Sequence, residues 1–315
     1  PGDPPPSQGA DAPMVQAGRA TINDIARLAG VSKKTVSRVI NHSPLVREDT
    51  RTRVLELMQA QGYVPDPQAR GLAFRRSFLI GMVYDNPNAQ YIVNVQNGAL
   101  DSLRGSGFEL VVHPCDRKSA DFIAGVRHFV QQQKLHGVIL LPPVSENDEL
   151  AAALADAGCR YVRIASVELD QSERMIVTRD REAAAEVADY LESLGHRTIG
   201  LITGPMNYRS AHERRDGFVD ALARRGIDLT PGQVEEGGYT FESGVACAER
   251  LLSQPDRPTA IFACNDEMAA GAYKAAFRIG LRVPEQVSIV GFDDSALASR
   301  LWPPLTTVRL PIREM

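Results

Sequence analysis

Basic and hydroxyl-bearing side chains cluster at 33–38 within the segment TINDIARLAGVSKKTVSRVIN. Arg38 could form a bidentate pair with guanine O6 and N7, and Lys33 and Lys34 could donate to guanine or to phosphate. Thr35 and Ser37 lie on the same polar side of what reads as a short helix. Backbone amides at Ser32, with Asn41 and Thr50, suit phosphate contacts that fix register rather than sequence. The competing reading is a solvated charged helix face; against it, cap, turn, apolar spacing and local charge all agree. A second polar set, Asp85, Asn265 and Asp293, stands at the ends of apolar runs further along the chain. Such acceptors and donors can fan out over vicinal hydroxyls, the chemistry of carbohydrate recognition. Each also has an ordinary alternative: Asn265 and Asp266 as the cap of the helix that follows, Asp293 and Asp294 as the cap of a turn.

The elements that must position the first set are legible. Ile22, Ile25, Ala26 and Ala29 recur at helical spacing, Thr21 with Asp24 forms a capping box, and Gly30 ends the helix. Ser32 caps a second helix that turns Val36, Val39 and Ile40 inward. A third helix is expected over Thr50 to Gln61, with Val54, Leu57 and Met58 on its apolar side. A helix, a short Gly-containing turn and a second capped helix make a helix-turn-helix, whose second helix enters the major groove. From Phe78 the rhythm changes. FLIGMVY, FELVVHP, GVILLP, YVRIA, IGLITG, AIFAC and VSIVGF read as strands buried on both faces of parallel sheets. Helical stretches at 91–105, 119–134, 182–195, 211–226 and 241–253 separate them. This alternation predicts a doubly wound α/β body long enough for two lobes, with ligands at the carboxyl ends of strands.

Charge follows the same division. From Arg19 to Arg76 there are 11 Lys and Arg against 5 Asp and Glu, a local net of +6; residues 77–315 carry 24 against 32, a net of -8. A basic head on an acidic body points to a polyanion partner for the head. With 43% hydrophobic and 23% charged residues in 315, disorder of the whole chain is excluded. Cys115, Cys159, Cys247 and Cys264 show neither a disulfide framework nor a CxxC pair and are expected as small buried hydrophobes in a reducing cytoplasm. The six histidines lack metal-ligand spacing and are expected in loops or on the surface. No apolar run reaches the roughly 18 residues that cross a bilayer. There is no Walker A loop, no GxSxG elbow and no GxGxxG after a strand, so neither a cofactor nor a catalytic step is expected. PGDPPPSQGADAP reads as a floppy tail, with Met14 the expected translation start.

The run VSKKTVSR from Val31 to Arg38, together with SLGHRTIGLITGP, SAHERRDGF, IFACNDEMAAGA, VSIVGFDD and PPLTTVR, resembles the LacI/GalR family of transcription regulators along almost the whole chain. The resemblance implies a multi-domain protein: a tail at 1–18, an all-α helix-turn-helix head at 19–64, a hinge helix at 65–77, and a periplasmic-binding-protein-like α/β body at 78–315. That body would comprise two doubly wound Rossmann-like lobes, lobe one at 78–177 plus 307–315 and lobe two at 178–306. It also implies that Lys33 and Lys34 are specificity positions, that Leu72 in PDPQARGLAFRRS is a wedge for the minor groove, that Arg214 is a ligand-binding arginine, and that Tyr239 lies against the apolar face of a sugar ring. The expected partners are a near-palindromic double-stranded DNA operator, a second copy of the chain, and a small-molecule effector, a carbohydrate, that controls operator affinity; no membrane is involved. In lobe one, YDNPNAQYI replaces the more usual Asn-Pro-Phe-Phe type of run, and Ala165 or Ser166 stands where an Asp is frequent. Family chains often continue with a further helix, so an end at Met315 reads as cut short. Two other functions suit the body alone: a transport-type sugar-binding protein, and a sugar-acting enzyme such as a kinase or nucleosidase.

Overall fold

The computed structural model describes residues 20–40, 43–63 and 77–315. Two compact units divide at Arg76 and Ser77. Asn41, Leu72 and nearly all of the expected hinge lie outside the described residues.

In the first unit, helices α1 (Ile22–Leu28), α2 (Lys33–Ile40) and α3 (Glu48–Ala60) close around Ile25, Val36, Val39 and Val54, each buried. The capping box forms: the Thr21 backbone N–H and hydroxyl donate to Asp24 Oδ2 at 3.0 and 2.6 Å. Gly30 takes φ +64°, a conformation that side chains with a Cβ disfavour, and so lets the chain turn sharply toward α2. The Ser32 hydroxyl then accepts the Thr35 N–H at 3.1 Å. α3 begins two residues before the expected Thr50, with Glu48 and Asp49 in its first turn where the helix dipole favours acids.

The second unit holds two all-parallel five-stranded sheets. The first runs β2 (Glu109–Pro114), β1 (Leu79–Tyr84), β3 (Gly137–Leu140), β4 (Arg160–Ala165), β5 (Met175–Val177). The second runs β10 (Thr306–Arg309), β9 (Ser288–Asp293), β8 (Ala260–Ala263), β6 (Ile199–Thr203), β7 (Val234–Glu236). The seven apolar runs all form strands. Three more, β5, β7 and β10, are edge strands of three or four residues whose sequences MIV, VEE and TTVR lack a continuous apolar signal. FELVVHP departs from burial on both faces: as β2 it lies at a sheet edge, and Val112 is 41% exposed. Seven helices cover the sheets: α4 (Ala89–Leu103), α5 (Phe122–Gln133), α6 (Asp148–Asp156), α7 (Asp180–Ser193), α8 (Arg209–Arg224), α9 (Phe241–Leu252) and α10 (Asp266–Arg278).

The chain returns to the first lobe later than the expected Thr307. Thr307 pairs with Gly291 and Arg309 with Asp293, so β10 completes the second sheet. Beyond it, Ile312 enters the first-lobe core beside Met82 and Ile92, and Arg313 bonds Asp101 on α4. Helices of the second lobe pack at backbone distance, because glycines face a neighbour's main chain: a Cβ on Gly217 of α8 would collide with the Arg181 carbonyl of α7. Gly217→Ala should therefore cost about 1–3 kcal/mol in denaturant unfolding. Gly232→Ala, whose nearest neighbour is the flexible Gln254 side chain at 3.6 Å, should leave the midpoint unchanged.

Candidate functional site

The first unit offers an exposed basic surface. Val36 and Val39 anchor α2 in the core, which turns Lys33 and Lys34 out to solvent at the start of the helix; Thr35, Ser37 and Arg38 are half-buried alongside. The Thr35 hydroxyl lies 3.0 Å from that of Ser32, so part of its bonding capacity serves the helix start. Thr50 sits half-buried in the first turn of α3. Arg51, one residue on, donates from Nη2 to the Ser43 carbonyl at 2.7 Å and fixes the loop leading into that helix.

In the second unit, a pocket of about 510 Å3, including its open mouth, lies between the carboxyl ends of the two sheets. Lobe one supplies Asn86, Tyr91, Pro142 and Ser166; lobe two supplies Asp180, Ser210, Arg214, Tyr239, Asn265 and Asp293. Four sequence candidates, Arg214, Tyr239, Asn265 and Asp293, thus meet at one place. Asp85 does not join them. Its carboxylate accepts the Arg117 backbone N–H at 3.2 Å and lies 3.7 Å from the Arg117 guanidinium. The next residue, Asn86, lines the pocket instead, where its Nδ2 donates to the Pro142 carbonyl at 3.1 Å.

Arg214 organises the pocket floor. From the first turns of α8 its Nε donates to Asp180 Oδ1 at 2.7 Å and its Nη1 to the Cys264 carbonyl at 2.5 Å; Asp293 Oδ1 is 3.8 Å away, and the guanidinium lies 3.8 Å from the centre of the Phe292 ring. Burial alone would ease a proton off this cation, but the Asp180 and Asp293 carboxylates outweigh it and hold its pKa above the ordinary value. Burial pushes the Asp293 carboxyl up to about 7 against the opposing pull of Arg214, with Asp266, Asp180 and Glu267 reinforcing the rise. Tyr239 at φ +61° and Asp293 at φ +122° adopt left-handed backbone without being glycine, a cost that proteins tolerate where a site requires it.

Asn265 lines the pocket and also serves as the cap of the helix that follows. Its Oδ1 caps α10 by accepting the Met268 N–H at 2.9 Å, while its Nδ2 donates to the Tyr239 carbonyl at 3.0 Å and so shapes the wall. The Tyr208 and Tyr239 rings meet edge to face at 5.5 Å. Asp180, Tyr91, Tyr208 and Ser210 escaped the sequence reading, and Ser166 entered it only as a position where the family frequently has an Asp. An acid opening an amphipathic helix, as Asp180 does, looks like an ordinary dipole partner until the fold buries it. Tyr208 also faces an outer chamber lined by Arg117, Glu146, Arg209 and His212. There Glu146 of lobe one accepts the Arg209 N–H that opens α8, its oxygens 3.3 and 3.2 Å away. Among the described residues, no group of three or more His, Cys, Asp or Glu could hold a metal ion, and no helix is long and apolar enough to cross a membrane.

Comparison with known proteins places both halves. Residues 21–66 match the family described as bacterial regulatory proteins, lacI family, and residues 188–315 match the periplasmic binding protein-like domain. The chain is 31% identical over 300 residues to the probable HTH-type transcriptional repressor ExuR of Bacillus subtilis (strain 168), covering 94% of this chain and 88% of that one. The crystal structure of the lac repressor dimer bound to operator and the anti-inducer ONPF is similar at 30% identity and a TM-score of 0.77, covering 94% of this chain and 89% of that one. The complex of transcriptional regulator CelR with cellobiose is similar at 30% identity and a TM-score of 0.68, covering 94% and 90%.

The Asp293 carboxyl binds its proton more tightly folded than unfolded. Its contribution to stability is therefore full below the ordinary carboxylate value of 3.8 and is lost as pH rises through about 7. Thermal unfolding between pH 4 and 8 should show the wild type losing ground to Asp293→Asn as pH rises; parallel profiles would contradict the burial of this charge.

Proposed function

The chain belongs to the LacI family of bacterial regulatory proteins, and from that membership we propose that it is a sequence-specific transcriptional repressor whose operator affinity is set by a small carbohydrate held between its two lobes. The observation that carries this reading is the presence in one chain of a basic helix-turn-helix surface and a polar pocket floored by Arg214 and Asp293. Lys33 and Lys34 read bases at variable positions of a half-site, with Arg38 and Ser37 beside them, while Thr35 and Thr50 hold phosphates and fix register. The roles expected of Asn41 on the backbone and of Leu72 in the minor groove complete the set.

A homodimer places two heads on a near-palindromic operator, as the symmetry of inverted half-sites requires. Val93 and Leu100 on α4 and Val112 on neighbouring β2, 46, 42 and 41% exposed, support an apolar contact between copies. Ligand binding in the body then needs only a coupling of roughly 1–3 kcal/mol to change operator affinity about 5- to 150-fold. No chemical step is involved, and a DNA partner places the protein in the cytoplasm. The relatives named above as transcriptional regulators favour this reading over a transport protein or an enzyme on the same lobes.

Selection of bound sequences from a random DNA pool tests the proposal: an inverted repeat should be enriched. Lys33→Ala and Lys34→Ala should each relax base preference at one or two positions per half-site and cost about 1–3 kcal/mol there, whereas Thr50→Ala should weaken all sequences alike. A pool with no enriched repeat would overturn it.

A further inference from the structure

One basic and two acidic side chains line the pocket floor, and all are buried: Arg214, Asp180 and Asp293. The remaining lining residues carry no charge. The positive charge of Arg214 is thus committed twice, to Asp180 in a direct bond at 2.7 Å and to Asp293 at 3.8 Å, and the pocket holds no uncompensated positive charge. A second bias concerns hydrogen-bond polarity. Asn265 uses its amide on Tyr239 and its oxygen on Met268; Asn86 uses its amide on Pro142 and its oxygen on the Asn88 N–H at 2.9 Å; Asn88 accepts the Tyr91 N–H at 3.1 Å. The Asn86 and Asn265 side chains are thus each engaged within the protein through both oxygen and amide, while Asn88 is held through its oxygen alone. A ligand hydroxyl, which both donates and accepts, suits Asp293 whether its carboxyl is ionised or protonated.

One lining atom awaits a partner. The Ser166 hydroxyl, at the end of β4, is buried and has no hydrogen bond among the described residues. A hydroxyl both donates and accepts, and an orphaned buried polar group calls for an occupant that satisfies it.

From this arrangement we infer that the pocket takes an uncharged polyhydroxyl ligand, one hydroxyl of which pairs with Ser166, and that it rejects sugars carrying a carboxylate or phosphate. The inference rests on the carbohydrate reading above and narrows it. A ligand hydroxyl can donate to Asp293 and exchange a bond with Ser166. An anion would be desolvated beside the Asp180 and Asp293 carboxyls, whose single counter-ion is shared between them; like charges brought together in this way reject wrong partners.

The test is calorimetric titration of the full chain with glucose, galactose, ribose, cellobiose and maltose, each beside its acidic and phosphorylated counterparts. At least one neutral sugar should bind, and its charged counterparts should bind about 100-fold more weakly or not at all. Ser166→Ala should weaken that neutral sugar about tenfold while leaving the unliganded melting temperature unchanged, since the hydroxyl has no bond in the free protein to lose; Ser166→Thr should restore binding. A charged sugar that binds as tightly as its neutral parent overturns the inference and leaves the carbohydrate reading standing. No binding by any member, charged or neutral, overturns the carbohydrate reading and the inference with it. A Ser166→Ala variant with full affinity removes Ser166 from the site.

Discussion

A guanidinium cannot be buried without compensation, and the second lobe is arranged around that fact. Arg214 is 6% exposed, and the groups that compensate it come from three separate places: Asp180 opens α7, Cys264 ends the β8 run, and Phe292 and Asp293 end β9. Removing one partner of such a group typically costs about 3–5 kcal/mol, because the other charge is left buried and alone. The position of this cluster follows from the topology: parallel strands bring their carboxyl ends to one edge, and helices that begin there turn their first residues toward the same space. Asp180 and Asn265 both belong to such helix starts. The pocket is where the fold's own electrostatic problem is solved, and a ligand that enters it becomes part of the solution.

That arrangement explains how occupancy can matter beyond the pocket. The walls come from both lobes, and Ser166, Tyr91 and Asn86 of lobe one have bonding or packing capacity that a ligand links to the Arg214 cluster of lobe two. Contacts near the mouth already span the lobes: Glu146 reaches the first N–H of α8, and Arg117 Nη1 donates to the Asn207 carbonyl at 3.3 Å. A ligand adds to this set, so the lobe arrangement it favours is stabilised by its differential affinity and by nothing more.

Local signals made much of this legible in the sequence. The Thr21 and Asp24 box, the turn at Gly30 and the valines of α2 specify the head because each depends only on neighbours within one turn. The seven apolar runs became strands because a strand buried on both faces must be apolar throughout. Edge strands β5, β7 and β10 escaped for the converse reason, since half their surface is free of that demand. Arg214 and Asp293 were found through resemblance and strand-end position. Asp180 could not be, and Ser166 was met only as a departure from the family, because their importance is their burial and their partners, or the lack of one, and these exist only after the lobes have folded. Asp85 shows the limit of strand-end reasoning: just past the end of β1, one residue separates lining the pocket, as Asn86 does, from meeting Arg117.

Ligand control of operator affinity is a thermodynamic link between the pocket and the operator-binding surface of one chain, and linkage is reciprocal. The direct measurement is the dissociation constant of the pocket ligand for the full chain, with and without a saturating duplex carrying the selected inverted repeat. The account predicts a change of roughly 5- to 150-fold, equal in factor to the change the ligand produces in operator affinity. Identical ligand affinity in the free and DNA-bound protein would contradict it.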